Sequence, residues 1–323
     1  MRGSGVRVGV SLGYWQDRDP AEALETARLA DSLGYAELWL GEMATYDAFA
    51  LATAVGGATE RIPLTVGPLA VAVRDPMALA MGVASVTALT GRVARLAVGT
   101  SSPVLVEQWH GRPSAGGARR LRQTVEALRP LLVGDRGAGG YRLRLLAPDA
   151  SVTVAAFGPG AVAVAAEVGD RRVVNLCSPA QVAVLRQALD DAARRAGRPA
   201  PPLAAWVPAA VDPAPGAVAQ LRRALVAYVA APGYGEMFAA AGFGEIVAFA
   251  RTGPHPRDLL DRIPLELVEA VAVIGDQRSC EAQMEEFAAA GVDEVALVPA
   301  TAGDDGGRRT LTALAPAPPG RGT

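Results

Sequence analysis

The chain has 323 residues, half of them hydrophobic, with 31 basic against 33 acidic groups and a formal charge of -2. That length suits one large α/β core, and the even charge balance leaves neither a basic footprint for nucleic acid nor a polybasic membrane anchor. The chain contains no lysine, which excludes Schiff-base aldolases, pyridoxal-phosphate enzymes and P-loop nucleotidases, each of which needs a lysine nitrogen.

In chain order, Val6 to Leu12 reads as a strand and Asp19-Pro20-Ala21-Glu22 as a helix start, with Gly34 as the stop. Ala36 to Leu40 is the second strand, and Gly41 to Asp47 its exit loop. A helix from Ala48 to Thr59 precedes the third strand, Ile62 to Val73, and Arg74-Asp75-Pro76 repeats the Asp-Pro start. The run Gly91-Arg92-Val93 through Gly99-Thr100-Ser101-Ser102-Pro103 is a buried parallel strand ending in a small, hydroxyl-rich loop, with Trp109-His110-Gly111 beyond it. A helix from Arg119 to Leu132 follows, then strand Ser151 to Phe157. Gly158-Pro159-Gly160 opens the next helix, and Arg172 to Cys177 and Leu203 to Val211 are strands six and seven. Residues 213–274 break the period and read as a helical insertion over one end of the fold. A helix from Ser279 to Ala290 and strand Asp293 to Pro299 complete the pattern, and the tail from Ala302 onward is expected to be disordered.

Eight strands alternating with helices predict a (βα)8 TIM barrel, residues 1–301 forming a single domain. No Gly-x-Gly-x-x-Gly supports a doubly wound sheet instead. Cys177 and Cys280 read as free thiols, and two histidines without metal-ligand spacing leave no zinc cluster. No apolar run reaches the roughly 20 residues of a membrane helix. With no signal-peptide core at the start, the expected compartment is the cytoplasm.

Several residues stand where barrel active sites lie. The backbone N–H groups of Gly158, Gly160 and Ala161, with Pro159 at the helix start, make an anion site. Thr100, Ser101 and Ser102 can bond the polar edge of a flat ligand. Glu42 leaves strand two and reads either as an acid or base in a half-buried pocket or as the partner of an arginine such as Arg74. Tyr14 and Trp15 end strand one and can wall a substrate pocket. Trp109 and His110 lie in a loop where they either touch substrate or plug the barrel, and Asn175, the only asparagine, ends strand six.

The Gly-Arg-Val…Gly-Thr-Ser-Ser-Pro run with Trp-His-Gly beyond it resembles the fourth strand and loop of the luciferase-like flavin and deazaflavin oxidoreductases, in particular the branch using coenzyme F420. Glu37 to Glu42, Thr59 to Leu64, Phe157-Gly158-Pro159, Ala166 to Asp170, Ile274-Gly275-Asp276 and Ala289 to Val295 fall in the family's order. The resemblance implies that Leu69 and Ala70 back the cofactor ring, that Thr100 to Ser102 and Asn175 contact it, and that residues 158–161 hold its phosphate. It further implies hydride transfer with F420, with Glu42 or His110 managing the proton, and a homodimer. Within the same family an FMN-dependent two-component monooxygenase is the alternative, and a flavin-binding barrel without turnover the second. Met43, Ser102 and Leu69-Ala70 depart from the family: relatives carry His, a catalytic Glu and a non-prolyl cis bond there.

Overall fold

A computed structural model describes residues 6–13, 15, 18–42 and 45–317. Nine strands form one sheet: β1 (Arg7–Ser11), β2 (Leu38–Leu40), β3 (Leu64–Ala70), β4 (Ala94–Gly99), β5 (Val152–Ala155), β6 (Arg171–Asn175), β7 (Leu203–Val211), β8 (Val273–Gly275) and β9 (Glu294–Pro299). Neighbours run β6-β5-β4-β3-β2-β1-β9-β7-β8, and β6 also pairs with β7. The eight strands expected from the sequence, β1 to β7 and β9, therefore close into a parallel barrel of the TIM type. The short β8 adds to the end of β7, with Ala209 to Val211 opposite Val273 to Gly275. These strands are mostly apolar because parallel strands under helices are buried on both faces, with Thr65, Arg95, Thr153, Arg171 and Arg172 among the polar exceptions.

Two compact units are distinguished within the chain, one of residues Ala36–Val174 and Gln187–Ala204, the other of Met1–Tyr35, Asn175–Arg186 and Ala205–Thr323. In the first, helix α3 (Pro76–Thr90) opens at its expected Asp75-Pro76 start, and α2 (Ala48–Ala58) carries an aspartate cap of the same kind. Asp47 accepts from the amides of Phe49 and Ala50, Asp75 from that of Ala78, and Gly91 at φ 68° ends α3. Helices α4 (Gly117–Leu132) and α5 (Pro159–Val168) follow.

The interior of this first unit is polar at its amino end. Glu37, just before β2, is buried and takes both guanidinium arms of Arg171 at 2.6 and 2.9 Å. Thr65 donates to the same carboxylate, Arg95 reaches it at 3.5 Å, and Arg171 also bonds the Thr153 hydroxyl at 3.1 Å and stacks over the Trp39 ring at 4.2 Å. Burial pushes the Glu37 carboxyl up, but the hydrogen bonds and charge of Arg171, with Thr65 and Arg95, hold it below the usual range.

In the second unit, α1 (Glu22–Ser32) precedes the insertion, which is helical as expected: α7 (Pro215–Leu225), α8 (Tyr234–Phe238), α9 (Gly244–Arg251), α10 (Pro256–Arg262) and α11 (Leu265–Val271). Its helices close over a core of their own that includes Leu221, Phe238, Leu267, Leu176 and Ala300. Helices α12 (Gln277–Ala289) and α13 (Arg308–Ala313) complete the set, and α6 (Pro179–Arg195) belongs to this unit as far as Arg186.

The expected disorder from Ala302 is corrected by α13. Asp304 accepts from the amides of Arg309 and Thr310 and from the Thr310 hydroxyl, Leu311 and Leu314 are buried, and the Tyr35 hydroxyl donates to the Leu311 carbonyl at 2.8 Å. Buried leucines and the Asp304 cap thus order a Gly-rich stretch that composition marks as loose. Residues 318–323 lie outside the described residues.

Candidate active site

Across the first unit, the last residues of β3, β4 and β5 and the middle residue of β6 stand side by side: Ala70 opposite Gly99, Gly99 opposite Ala155, and Ala155 opposite Val173. Alternation puts this row on the same sheet face as Arg95, Thr153 and Arg171, two to four residues further toward the carboxyl ends. Nothing in the row is larger than valine, so the strand ends leave a shallow floor where the amino end is filled by Trp39, Arg171 and Glu37.

The parity that brings Ala70 onto this face comes from a bulge. Between Val66 and Leu69, β3 spends three steps while β4 spends two, and the Gly67-Pro68 peptide bond within it is cis. Gly67 is required there: its φ is 119°, and a Cβ would lie 2.1 Å from the Ala97 carbonyl oxygen. The third strand therefore bends at Gly67-Pro68, immediately before Leu69 and Ala70, and both of those residues are buried at the strand end.

The loop after β4 is tighter than its sequence suggests. Ser101 has a positive φ of 59°, Ser102 accepts from the Leu105 amide at 3.3 Å, and Val104–Trp109 wind into a short π-helical turn. Ser101, Trp109 and His110 are exposed, and Thr100 and Ser102 half-buried. Thr100 packs where a Cβ on Gly117 would meet it at 3.0 Å, and a Cβ on Gly160 would meet Ala118 at 3.2 Å. The start of α4 thus lies beside both the β4 loop and the start of α5.

At that second start, Gly158 is the N-cap in extended backbone, Pro159 follows, and no side chain caps the turn. The first bonded amide is that of Val162, to the Gly158 carbonyl at 3.0 Å. Gly158, Pro159 and Gly160 are exposed and Ala161 half-buried, so the N–H groups of Gly160 and Ala161 face an approachable turn at the positive end of the helix dipole.

Glu42 takes the second of its two predicted states. Its carboxylate is paired with Arg74, which bonds it through two nitrogens, and accepts from the Ala48 amide at 3.3 Å. Arg74 also pairs with Asp47 and lies 5.4 Å from the Phe49 ring centroid. Burial pushes the Asp47 carboxyl up, but the Ala50 amide and Arg74 hold it below its ordinary value.

The second unit carries the remaining predicted residues. Asn175 ends β6 and shares a side-chain hydrogen bond with Tyr234 of α8, whose phenol burial pushes well above its ordinary value, Tyr228 and Cys177 adding to the shift. The Cys177 thiol lies 3.4 Å from the Met237 sulfur, and Gln181 bonds the Met237 carbonyl at 2.7 Å. Trp15 packs against the insertion core and donates to the Pro299 carbonyl at 3.0 Å. Both cysteines are free, as expected, and both are buried. Tyr14 and Met43 lie outside the described residues.

Sequence reasoning missed Ser11, the last residue of β1. Its hydroxyl is buried and, among the described residues, without a hydrogen-bond partner; an isolated serine in an apolar run gives no signal of that. It also could not see backbone strain. Among the described residues, the non-glycine positions with positive φ are Ser101, Leu176 and Asp212, following β4, β6 and β7 by one or two residues. Such conformations cost about 1 to 3 kcal/mol and collect at functional sites; all three fall past carboxyl strand ends, where barrel active sites are built. Among the same residues no group of three His, Cys, Asp or Glu could hold a metal, and no helix is long and apolar enough to cross a membrane.

Comparisons with known proteins place the fold and the family. A Mycobacterium tuberculosis protein provisionally described as a coenzyme F420-dependent oxidoreductase is 26% identical over 96% of this chain and 99% of its own. The F420-dependent tetrahydromethanopterin reductase of Methanopyrus kandleri superposes with a TM-score of 0.79 at 18% identity, over 96% of this chain and 98% of that one. The oxygenating constituent of 3,6-diketocamphane monooxygenase from Pseudomonas putida, in complex with FMN, does so with a TM-score of 0.69 at 15% identity, over 96% of each chain. The model of the luciferase-like monooxygenase family matches residues 4–294, and the chain belongs to that family.

Proposed function

We propose that this chain is an F420-dependent oxidoreductase that moves a hydride between the deazaflavin and an electrophilic carbon, in an imine, enoyl or carbonyl group, of a small organic substrate. The observation that carries the reading is the floor Ala70-Gly99-Ala155-Val173 beside the uncapped start of α5. The residues present fit the coenzyme: small side chains leave room for a flat ring, and open N–H groups suit a phosphate. When bound, the deazaflavin supplies hydride chemistry at its C5.

The chain's own part is to bind, orient and exclude water. Ala70 backs the ring, with Leu69 beside it on the opposite face of the strand, Thr100, Ser101 and Ser102 bond its polar edge, and Gly158 to Ala161 receive the phosphate. Holding ring and acceptor about 3 to 3.5 Å apart supplies most of the acceleration. Glu42, engaged by Arg74, serves as a fixed acceptor, and the exposed His110 carries the proton.

The similarity to an FMN-bound monooxygenase favours one second reading, an FMN-dependent two-component monooxygenase. Difference-absorbance titration separates the two. Micromolar or tighter binding of F420 with FMN bound far more weakly supports the first reading, the reverse order supports the second, and binding of F420 without turnover of any acceptor leaves a non-catalytic flavin-binding barrel.

We also propose a homodimer. The helices α2 and α3 hold no charged residue, yet Met77, Met81 and Leu89 of α3 are exposed, and helices apolar all round are normally covered. Met81→Glu with Leu89→Glu should halve the mass measured by sedimentation, whereas a wild-type mass of one 33.1 kDa chain would sink the idea.

A further inference from the structure

We infer that Arg172 is a positioning residue for the turn that opens α5, an inference that rests on the cofactor reading above. Arg171 and Arg172 are consecutive on β6, so they leave opposite faces of the sheet. Arg171 enters the polar interior, and Arg172, fully buried, turns to the helix side. There its Nε and Nη2 both donate to the Ala156 carbonyl, at 3.0 and 2.9 Å. That carbonyl belongs to the peptide joining Ala156 to Phe157, the step into Gly158 and Pro159. The Ala156 amide in turn donates to the Val173 carbonyl at 3.4 Å, and the Arg172 amide to the Pro202 carbonyl at 2.9 Å.

The far end of the same helix is also held by arginines. Arg129 donates to the Val168 carbonyl at 2.7 Å while pairing with Asp170 at 2.6 Å, and Arg198 donates to the carbonyls of Ala166 and Glu167. The carbonyl end of α5 is therefore satisfied by cations, which also suit the negative end of its dipole. Its amino end has no side-chain cap. Arg172 fixes the peptide plane from which that open end departs, and so sets where the Gly160 and Ala161 N–H groups point. A lysine, a single point donor, cannot reproduce the two-nitrogen grip.

The test uses the full chain with Arg172→Gln and Arg172→Lys, and two readouts. In titrations against F420 and against its phosphate-free chromophore, the F420 dissociation constant should rise about tenfold in Arg172→Gln, the scale on which orienting partners act. It should rise less in Arg172→Lys, with the chromophore unchanged. Equal weakening of both ligands would mean a merely structural role and overturn the inference. In the ligand-free protein, hydrogen exchange at the Ala156 and Val162 amides should quicken while that of Leu96, in β4, stays as it was; unchanged exchange overturns the inference as well. If Arg172→Gln does not fold, Arg172→Lys carries both readouts. A wild-type chain that ignores F420 overturns the cofactor reading and with it the phosphate-directed role, whereas normal wild-type binding with unchanged variants overturns the role of Arg172 alone.

Discussion

The two ends of the strands in the first unit differ in what fills them. The amino end holds a tryptophan, two arginines, a glutamate and two threonines in one bonded layer, and the carboxyl end presents alanine, glycine, alanine and valine in register. Large side chains need a buried network to satisfy their polar atoms, and once satisfied they make that end rigid and closed. Small ones leave room that a ligand can take. The contrast teaches that stability and binding are separable here, because they occupy different layers of the same strands.

Arg171→Met tests the closed end and carries the largest expected effect. It leaves the Glu37 charge buried without its main partner, so unfolding should cost about 3 to 5 kcal/mol less, measured by denaturant titration; Glu37→Leu on top should recover part of that loss. The same layer sets a pH dependence. Because the folded Glu37 carboxyl is held below its ordinary value, its contribution is complete above about pH 4.3, the unfolded value, and is lost as pH falls through the folded one.

Gly67→Ala attacks the join between the layers. A side chain at that φ, pressed against the Ala97 carbonyl, should cost at least about 1 to 3 kcal/mol, and because the bulge sets the parity of Leu69 and Ala70, F420 affinity should fall too. Ala155→Leu tests the open end alone. It should weaken F420 binding by roughly ten- to a hundredfold, about 1.4 to 2.8 kcal/mol, with a much smaller change in melting temperature; equal losses in both would erase the distinction. The smallest effect is expected at Glu42→Gln, since the Arg74 pair is a quarter exposed and such pairs contribute about 1 kcal/mol or less. A collapse of turnover with stability intact would instead make Glu42 the proton carrier.

Much of this was legible in the chain. The strand-helix alternation, the Asp75-Pro76 start and the Pro159 helix start are local signals, and local signals survive in sequence. The Arg74 partnership of Glu42 was one of two readings, since an acidic residue at a strand exit has few cations within reach. What stayed hidden depends on distant pairing: Glu37 and Arg171 lie 134 positions apart, β8 is three residues long, and α13 is six residues ordered by Asp304 and by buried leucines. No periodicity can show any of these.

The last of them bears on how the protein can be shortened. Cutting after residue 301, where the alternating pattern ends, would remove the oxygen that receives the Tyr35 phenol and the Thr310 hydroxyl that receives the Val211 amide. Both donors are buried, and each orphaned donor costs about 1 to 3 kcal/mol. A trimmed version would then open next to α1 and the tip of β7, whereas one ending at residue 317 keeps every bond named here.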